Sequence, residues 1–222
     1  MGDLANLLDV SPTDNSADVL QRADRIDERS LTSAVVVHRS KMHVLATPTD
    51  LDSIAEVNAD DIYSIISTAA KAYQFVILDC GIYLDEAVAM GVNVADTVVV
   101  TTTTNVTAVR DCFRRLRLLE RIGVEKERTK LVVNRYREGS FVSLEDITEN
   151  LGVPVAATVS EDVRTVAQAV NEGKLVRDVN KKSDAARDIS TLVAVLTEDA
   201  EGLAEEETKS SGGFFSSLFR RG

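Results

Sequence analysis

Four short runs of apolar, largely β-branched residues set what this chain can fold into. They are His43-Val44-Leu45-Ala46, Phe75-Val76-Ile77-Leu78, Thr97-Val98-Val99-Val100 and Lys130-Leu131-Val132-Val133, with a weaker fifth from Val153 to Val159. Continuity, rather than alternation of apolar and polar residues, is the pattern of strands covered on both faces. Helical periodicity fills the spaces between them. Ile54 to Ala72 carries Ile62, Ile65, Ile66 and Ala69 at helical spacing, and Val106 to Ile122 carries Val109, Phe113, Leu116 and Leu119 before the stop at Gly123. Ser143 to Leu151 opens on a capping box, Ser143 with Asp146, and closes at Gly152. Asp162 to Gly173 repeats the scheme, with Val163, Val166 and Val170 turned inward. Strands alternating with helices at this spacing predict an α/β fold, a doubly wound and mostly parallel sheet with helices on both faces.

At 222 residues the chain suits one such domain with short appendages. The expected division is 1–197 for the α/β domain, 198–213 for an acidic and then Gly/Ser-rich linker, and 214–222 for an amphipathic tail. The formal net charge is −11, which repels phosphate backbones and argues against nucleic acid as a main partner. Cys80 and Cys112 sit in apolar stretches at no metal or disulfide spacing and read as buried free thiols. His38 and His43 flank an expected turn and have no cluster of ligating residues around them, so a metal site there is not expected. The N-terminus is acidic where a signal peptide is basic, and no run is long enough to cross a membrane. A cytoplasmic protein is expected.

Phe75-Val76-Ile77-Leu78-Asp79 is an apolar strand that ends in an acid. Asp79 suits two roles equally: a cap for the next helix, or the carboxylate that helps hold Mg²⁺ between nucleotide phosphates in P-loop NTPases. The phosphate loop itself is missing from these residues. No GxxxxGK[ST] occurs, and the one Gly-Lys pair, Gly173-Lys174, precedes Leu175 and follows a helix.

Further motifs come in a fixed order. Leu4 to Leu8 with Asp9 is followed by Leu31 to Pro48, Tyr73 to Asp79, and Ala95-Asp96-Thr97 through Thr104 with Val109-Arg110. Lys130 to Tyr136 with its Val-Asn-Arg-Tyr, the Ser143 capping box, Gly152-Val153-Pro154-Val155 and Ala169-Val170-Asn171-Glu172-Gly173 complete the series. Together they resemble the MinD/ParA-type ATPases, in particular the CpaE/TadZ-like branch concerned with Flp pilus assembly.

The resemblance implies ATP and Mg²⁺ as cofactors, a homodimer, and pilus or secretion machinery proteins as partners. Asn134 matches the asparagine whose amide reads the adenine edge, Arg135 flanks the base, and Asp79 matches the Walker B acid. Ser160 and Asp162 fall in the loop that lies against the base, with Ser160 where the family usually has proline. The resemblance also places the first strand, the P-loop, the following helix and the second strand ahead of Met1. Truncation is the favoured account and loss of hydrolysis the other; no catalytic residue is assigned either way.

Two features remain. Arg110, Arg114, Arg115, Arg117 and Arg121 crowd one helix, either as solvated ions partnered by Asp111 and Glu120 or as a binding face; the overall acidity favours the first. In the tail, Phe214, Phe215, Leu218 and Phe219 share one helical face, with Arg220 and Arg221 beside it. That pattern suits an anionic membrane surface, and MinD proteins end in a similar segment; a disordered polar tail is the alternative. The reading is a protein on the inner face of the cell membrane that positions a Flp/Tad-type pilus machine through nucleotide-linked dimerisation. The rival is a non-catalytic localisation or scaffold protein on the same fold. A flavodoxin-like enzyme using the Thr101 to Thr104 hydroxyls is a third, less economical reading.

Overall fold

The computed structural model describes residues 3–22, 26–48 and 58–197. The expected linker at 198–213, the tail with Phe214, Phe215, Leu218, Phe219, Arg220 and Arg221, and the expected helix start at Ile54 lie outside the described residues. Within them the chain divides into two compact units. The first takes residues up to Ala95 together with Arg121–Val124 and Val163–Lys181. The second takes Asp96–Glu120, Glu125–Asp162 and the residues from Lys182 onward.

Two of the early helices in the first unit carry strong local start signals. Helix α1 spans Leu4–Leu7 and α2 spans Ser16–Arg22. In α3 (Glu28–Ala34) the Asp27 carboxylate accepts the Ser30 N–H at 2.7 Å while the Ser30 hydroxyl accepts the Asp27 N–H at 3.0 Å. Helix α4 (Ala59–Ala72) begins the same way at Asn58, whose side chain accepts from Asp60 and Asp61. Each cap satisfies donors that the first helical turn leaves orphaned. The inward faces meet in a core of Leu31, Ile65 and Ala69, with Leu20, Ile26, Leu45 and Tyr73 packed around it.

The run at His43 departs from the expected parallel strand. Lys41, at φ 69°, turns the chain back tightly, so β1 (Val36–Val37) and β2 (His43–Val44) form an antiparallel hairpin. Ala46 makes only a single parallel bridge, to Asn15. The turn does fall between the two histidines, and His43 Nδ1 lies 2.9 Å from the Tyr73 hydroxyl.

Phe75-Val76-Ile77-Leu78 is the larger correction. The segment has no regular secondary structure and pairs with no strand among the described residues. Phe75 is 56% exposed and Ile77 89%. Leu78 is held from one side: a Cβ at Gly91 would sit 3.1 Å from its Cδ1. Gly91 lies in α5 (Glu86–Val94), a helix the apolar periodicity did not reveal although the Asp85 cap on Val88 N–H, at 2.8 Å, is plain in the sequence once sought.

The second unit holds the parallel sheet. Strands β3 (Val98–Thr102), β4 (Thr129–Tyr136) and β5 (Val155–Ser160) lie in that order with β4 central. Both ladders are parallel, as the strand–helix alternation predicts. Leu131, Val132 and Val133 are 0%, 2% and 0% exposed, so the central strand is covered on both faces. Edge strand β3 instead alternates, with Val99 exposed and Val100 and Thr102 buried. Helix α6 (Val106–Arg121) connects β3 to the 3-10 turn Lys126–Arg128 that leads into β4. Helix α7 (Leu144–Leu151) starts at the Ser143–Asp146 capping box and ends at Gly152, φ 65°, as expected.

Two inward faces differ from their periodicity. In α6 the buried residues are Val109, Cys112 and Leu119, while Phe113 is 45% exposed; Cys112 takes the inward place because Phe113 lies one position off the seam. In α8 (Val163–Asn171) Thr165 and Ala169 face inward, and Val163, Val166 and Val170 are exposed. The small Thr165 and Ala169 side chains are the ones that permit close packing there. Cys112 is buried as expected, whereas Cys80, next to the uncovered segment, is only half-buried.

A short helix α9 (Val176–Val179) follows α8 in the first unit. The last helix of the described residues, α10, covers 184–197 in the second.

Candidate functional site

The sheet of the second unit gathers four of the five expected nucleotide-site residues at the carboxyl ends of β4 and β5. This is the end of a parallel α/β sheet where ligands bind. The position follows from a register defect. Val133 pairs with Thr158, but the next ladder pair is Tyr136 with Ser160. Strand β4 therefore spends one residue more than β5 over this interval, and the surplus falls at Asn134–Arg135.

Arg135 absorbs the surplus by adopting φ 51°, in the left-handed region. For a residue with a Cβ that conformation carries a strain on the order of 1–3 kcal/mol. It is supported locally: the Arg135 N–H donates to Asn134 Oδ1 at 2.8 Å. Both residues are exposed. With its oxygen engaged by the Arg135 N–H, the Asn134 amide keeps Nδ2 as a donor on an exposed side chain. Bulges of this type re-aim side chains beside binding sites.

The facing loop is fixed by contacts that no sequence spacing announces. Ser160 N–H donates to Asp188 Oδ2 at 2.8 Å. The Ser183 hydroxyl donates to Asp162 Oδ2 at 2.7 Å. Glu161 N–H donates to the Tyr136 carbonyl at 3.0 Å, and its carboxylate pairs with Arg137. Ser183 and Asp188 were not foreseen. A readable signal existed for Ser183, which stands at the start of α10 and accepts from Ala186 N–H at 3.4 Å. Asp188, 28 residues from Ser160, had none.

Asp79, the fifth residue, belongs to the first unit. It is exposed, and one carboxylate oxygen accepts the Gly81 N–H at 3.4 Å. Asp85, not Asp79, caps the helix that follows. The capping role considered for Asp79 is therefore taken by its neighbour. Beside it, burial pushes the Cys80 thiol above its ordinary pKa, with the charges of Asp79 and Asp85 adding to the shift. Cys80 is thus kept protonated and unreactive at neutral pH.

The residues present fit one end of a nucleotide and not the other. An exposed amide, a guanidinium and a pinned loop suit a purine edge. For Mg²⁺ and phosphates there is a single matched carboxylate, Asp79. No group of three or more His, Cys, Asp or Glu residues able to hold a metal occurs among the described residues. The 222 residues also contain no glycine-rich phosphate loop.

No family model matches the chain. A MinD-type septum site-determining protein of Mesostigma viride is 32% identical over 121 residues, 52% of this chain and 41% of that protein. The septum site-determining protein MinD of Neisseria meningitidis serogroup B is 26% identical over 208 residues, 86% of this chain and 75% of that protein. The chain thus spans about two fifths of the first relative and three quarters of the second. A ParA family ATPase from Chlorobium tepidum superposes with a TM-score of 0.80 at 22% identity, over 85% of this chain and 79% of that one. MinD of Pyrococcus horikoshii, complexed with Mg-ADP, superposes with a TM-score of 0.72 at 19% identity, over 92% and 80%. At such identities these structures establish the fold. Relatives and neighbours together support a relationship to the MinD/ParA-type P-loop ATPases.

Proposed function

We propose that these residues carry the base-recognition side of a MinD/ParA-type adenine nucleotide site, in a CpaE/TadZ-like protein that positions or assembles a Flp/Tad-type pilus machine. The observation that supports it most directly is the Asn134–Arg135 bulge, pinned opposite Ser160–Asp162. The proposed mode of action is nucleotide-linked homodimerisation, with attachment to an anionic membrane surface through 214–222. The pilus role rests on the CpaE/TadZ-like motif series alone. A second reading, a non-catalytic localisation or scaffold protein, is favoured by one specific feature, the lack of a phosphate loop in this sequence.

Backbone amides and the lysine of a phosphate loop normally supply most of the nucleotide affinity, and Asp79 does not replace them. Calorimetry with Mg·ATP is therefore expected to show no saturable binding in the micromolar range. Adenosine at millimolar concentration is expected to shift the amide resonances of Asn134, Arg135 and Glu161, and guanosine to shift them less. Asn134→Ala should abolish the preference, since a lost base-edge hydrogen bond costs on the order of 1 kcal/mol. A tight Mg²⁺-dependent isotherm would overturn the first statement. Equal shifts by both nucleosides would overturn the second.

The membrane part of the proposal has its own test. The tail from Phe214 to Arg221 resembles an interfacial segment whose strength is comparable to one lipid chain, which makes it a marginal anchor alone. Two tails on one dimer gain avidity without new contacts. Co-sedimentation with anionic liposomes should fall about tenfold in Phe215→Glu, because burying that ring is worth roughly 1.5–3 kcal/mol. If Phe215→Glu and the unaltered chain sediment alike, the tail is not an anchor.

A further inference from the structure

Helix α6 carries a face that the proposed function does not use. Arg110, Arg114 and Arg117 recur at intervals of four and three residues, which stacks them on one side of the helix. All three are exposed; the side chains of Arg114 and Arg117 are 70% and 66% accessible. The helix buries only the opposite seam of Val109, Cys112 and Leu119. Apolar side chains border the arginines on either side, Phe113 at 45% exposure and Leu118 at 41%. Asp111 and Glu120 reach Arg114 and Arg117 at 3.2 and 3.5 Å from the flanks, as exposed pairs that hold little in water. A basic stripe edged by large apolar groups is an unusual patch on a chain with net charge −11.

The same chain contains a segment of matching chemistry. Residues 198–207 read Glu-Asp-Ala-Glu-Gly-Leu-Ala-Glu-Glu-Glu, with six acids in ten positions and Leu203 among them. In sequence they follow directly on α10, and the described residues from Lys182 onward belong to the same unit as the Val106–Glu120 part of α6. Ten extended residues reach about 33 Å. The stripe from Arg110 to Arg117 is only about 10 Å long on a helix.

We propose that residues 198–207 dock along the arginine face of α6, their carboxylates on Arg110, Arg114 and Arg117 and Leu203 against Phe113. The occupant is this chain's own acidic segment rather than an external polyanion. Tethering gives it a high effective concentration at the helix, and its acids complement the stripe that the rest of this acidic molecule would repel from nucleic acid or lipid. Docking also screens the arginines from any other anion until the segment is displaced.

Hydrogen–deuterium exchange of α6 in the full chain tests this. The comparison is a full-length variant in which Glu198, Glu201, Glu205, Glu206 and Glu207 become Gln and Asp199 becomes Asn. At about 0.02 M salt, α6 amides in the neutralised chain should exchange about threefold faster or more. At about 1 M salt, where charges are screened beyond about 3 Å, the two should agree. In an Arg114→Glu, Arg117→Glu background, neutralising the segment should produce no further acceleration, which separates direct coupling from a general effect of lost charge. Unchanged α6 exchange at low salt overturns the proposal, as does an acceleration that persists in the double-Glu background. Protection of α6 by added duplex DNA or anionic vesicles that is equal in both chains assigns the face to an external polyanion and overturns it too.

Discussion

Gly173→Ala is expected to destabilise the first unit severely, whereas Gly139→Ala, at a similar backbone angle, is expected to be mild. Gly173 has φ +54° and Gly139 φ +74°, so both substitutions force a Cβ into the left-handed region. That alone costs about 1–2 kcal/mol. A Cβ on Gly139 meets nothing within 4 Å. One on Gly173 would lie 2.2 Å from Asp9 Cβ and 2.9 Å from the Leu8 carbonyl carbon and oxygen. Two of those atoms are backbone, and Asp9 is itself at φ 49°, so neither side gives way easily. The Gly173 carbonyl also accepts from His38 Nε2 at 3.2 Å and from the Arg39 guanidinium, tying the hairpin turn to the end of α8. His38 is 3% exposed, and displacing it would leave a buried ring nitrogen unpaired. A total loss above about 3 kcal/mol is expected, a fall in melting temperature of roughly 6–12 °C for a protein of this size. Differential scanning calorimetry of the two variants checks it, and comparable small shifts in both would show that the contact at Asp9 is not restrictive.

The second large effect contrasts two short apolar runs that read alike in the sequence. Leu131→Ala removes a side chain that is 0% exposed in the central strand and is expected to cost about 2–5 kcal/mol. Ile77→Ala removes one that is 89% exposed and is expected to stay within about 0.5 kcal/mol. Urea midpoints measured at constant slope give both values. A loss at Ile77 as large as that at Leu131 would mean that the segment from Phe75 to Leu78 is covered in solution by something the isolated chain supplies.

That contrast also shows where sequence reasoning reaches its limit. Phe75–Leu78 and Lys130–Val133 carry the same local signal, and only the neighbours decide between them. Thr129–Tyr136 has β3 on one side and β5 on the other; Phe75–Leu78 has no ladder among the described residues. Local devices were legible because their partners lie within four residues: the Ser143 box, the Gly152 stop and the turn between His38 and His43. The parallel order of the last three strands was legible too, since helices separate them. The hairpin pairing of His43 was not, because Val36–Val37 is too short to register as a strand. For the candidate site, Asn134, Arg135, Ser160 and Asp162 were found through the resemblance. What brings them together, the bulge at Arg135 and the anchors Ser183 and Asp188, depends on register and long-range contact, and neither has a spacing to read.

The bond between His38 and Gly173 has a consequence for how this protein is made. Its two partners are 135 residues apart, and the sheet-bearing stretches Asp96–Glu120 and Glu125–Asp162 are both synthesised between them. A ribosome adding about 5–20 residues per second delivers Gly173 roughly 7–27 s after His38. For that interval the hairpin turn, Leu8 and the face that receives α8 have emerged without the helix that closes them. The strands of the second unit lie in Asp96–Glu120 and Glu125–Asp162 and can pair while the first unit waits, and α10 joins them only after Lys181 has closed the first unit. Nascent chains paused before Gly173 would offer a half-built unit to chaperones and proteases, and those released after it would not.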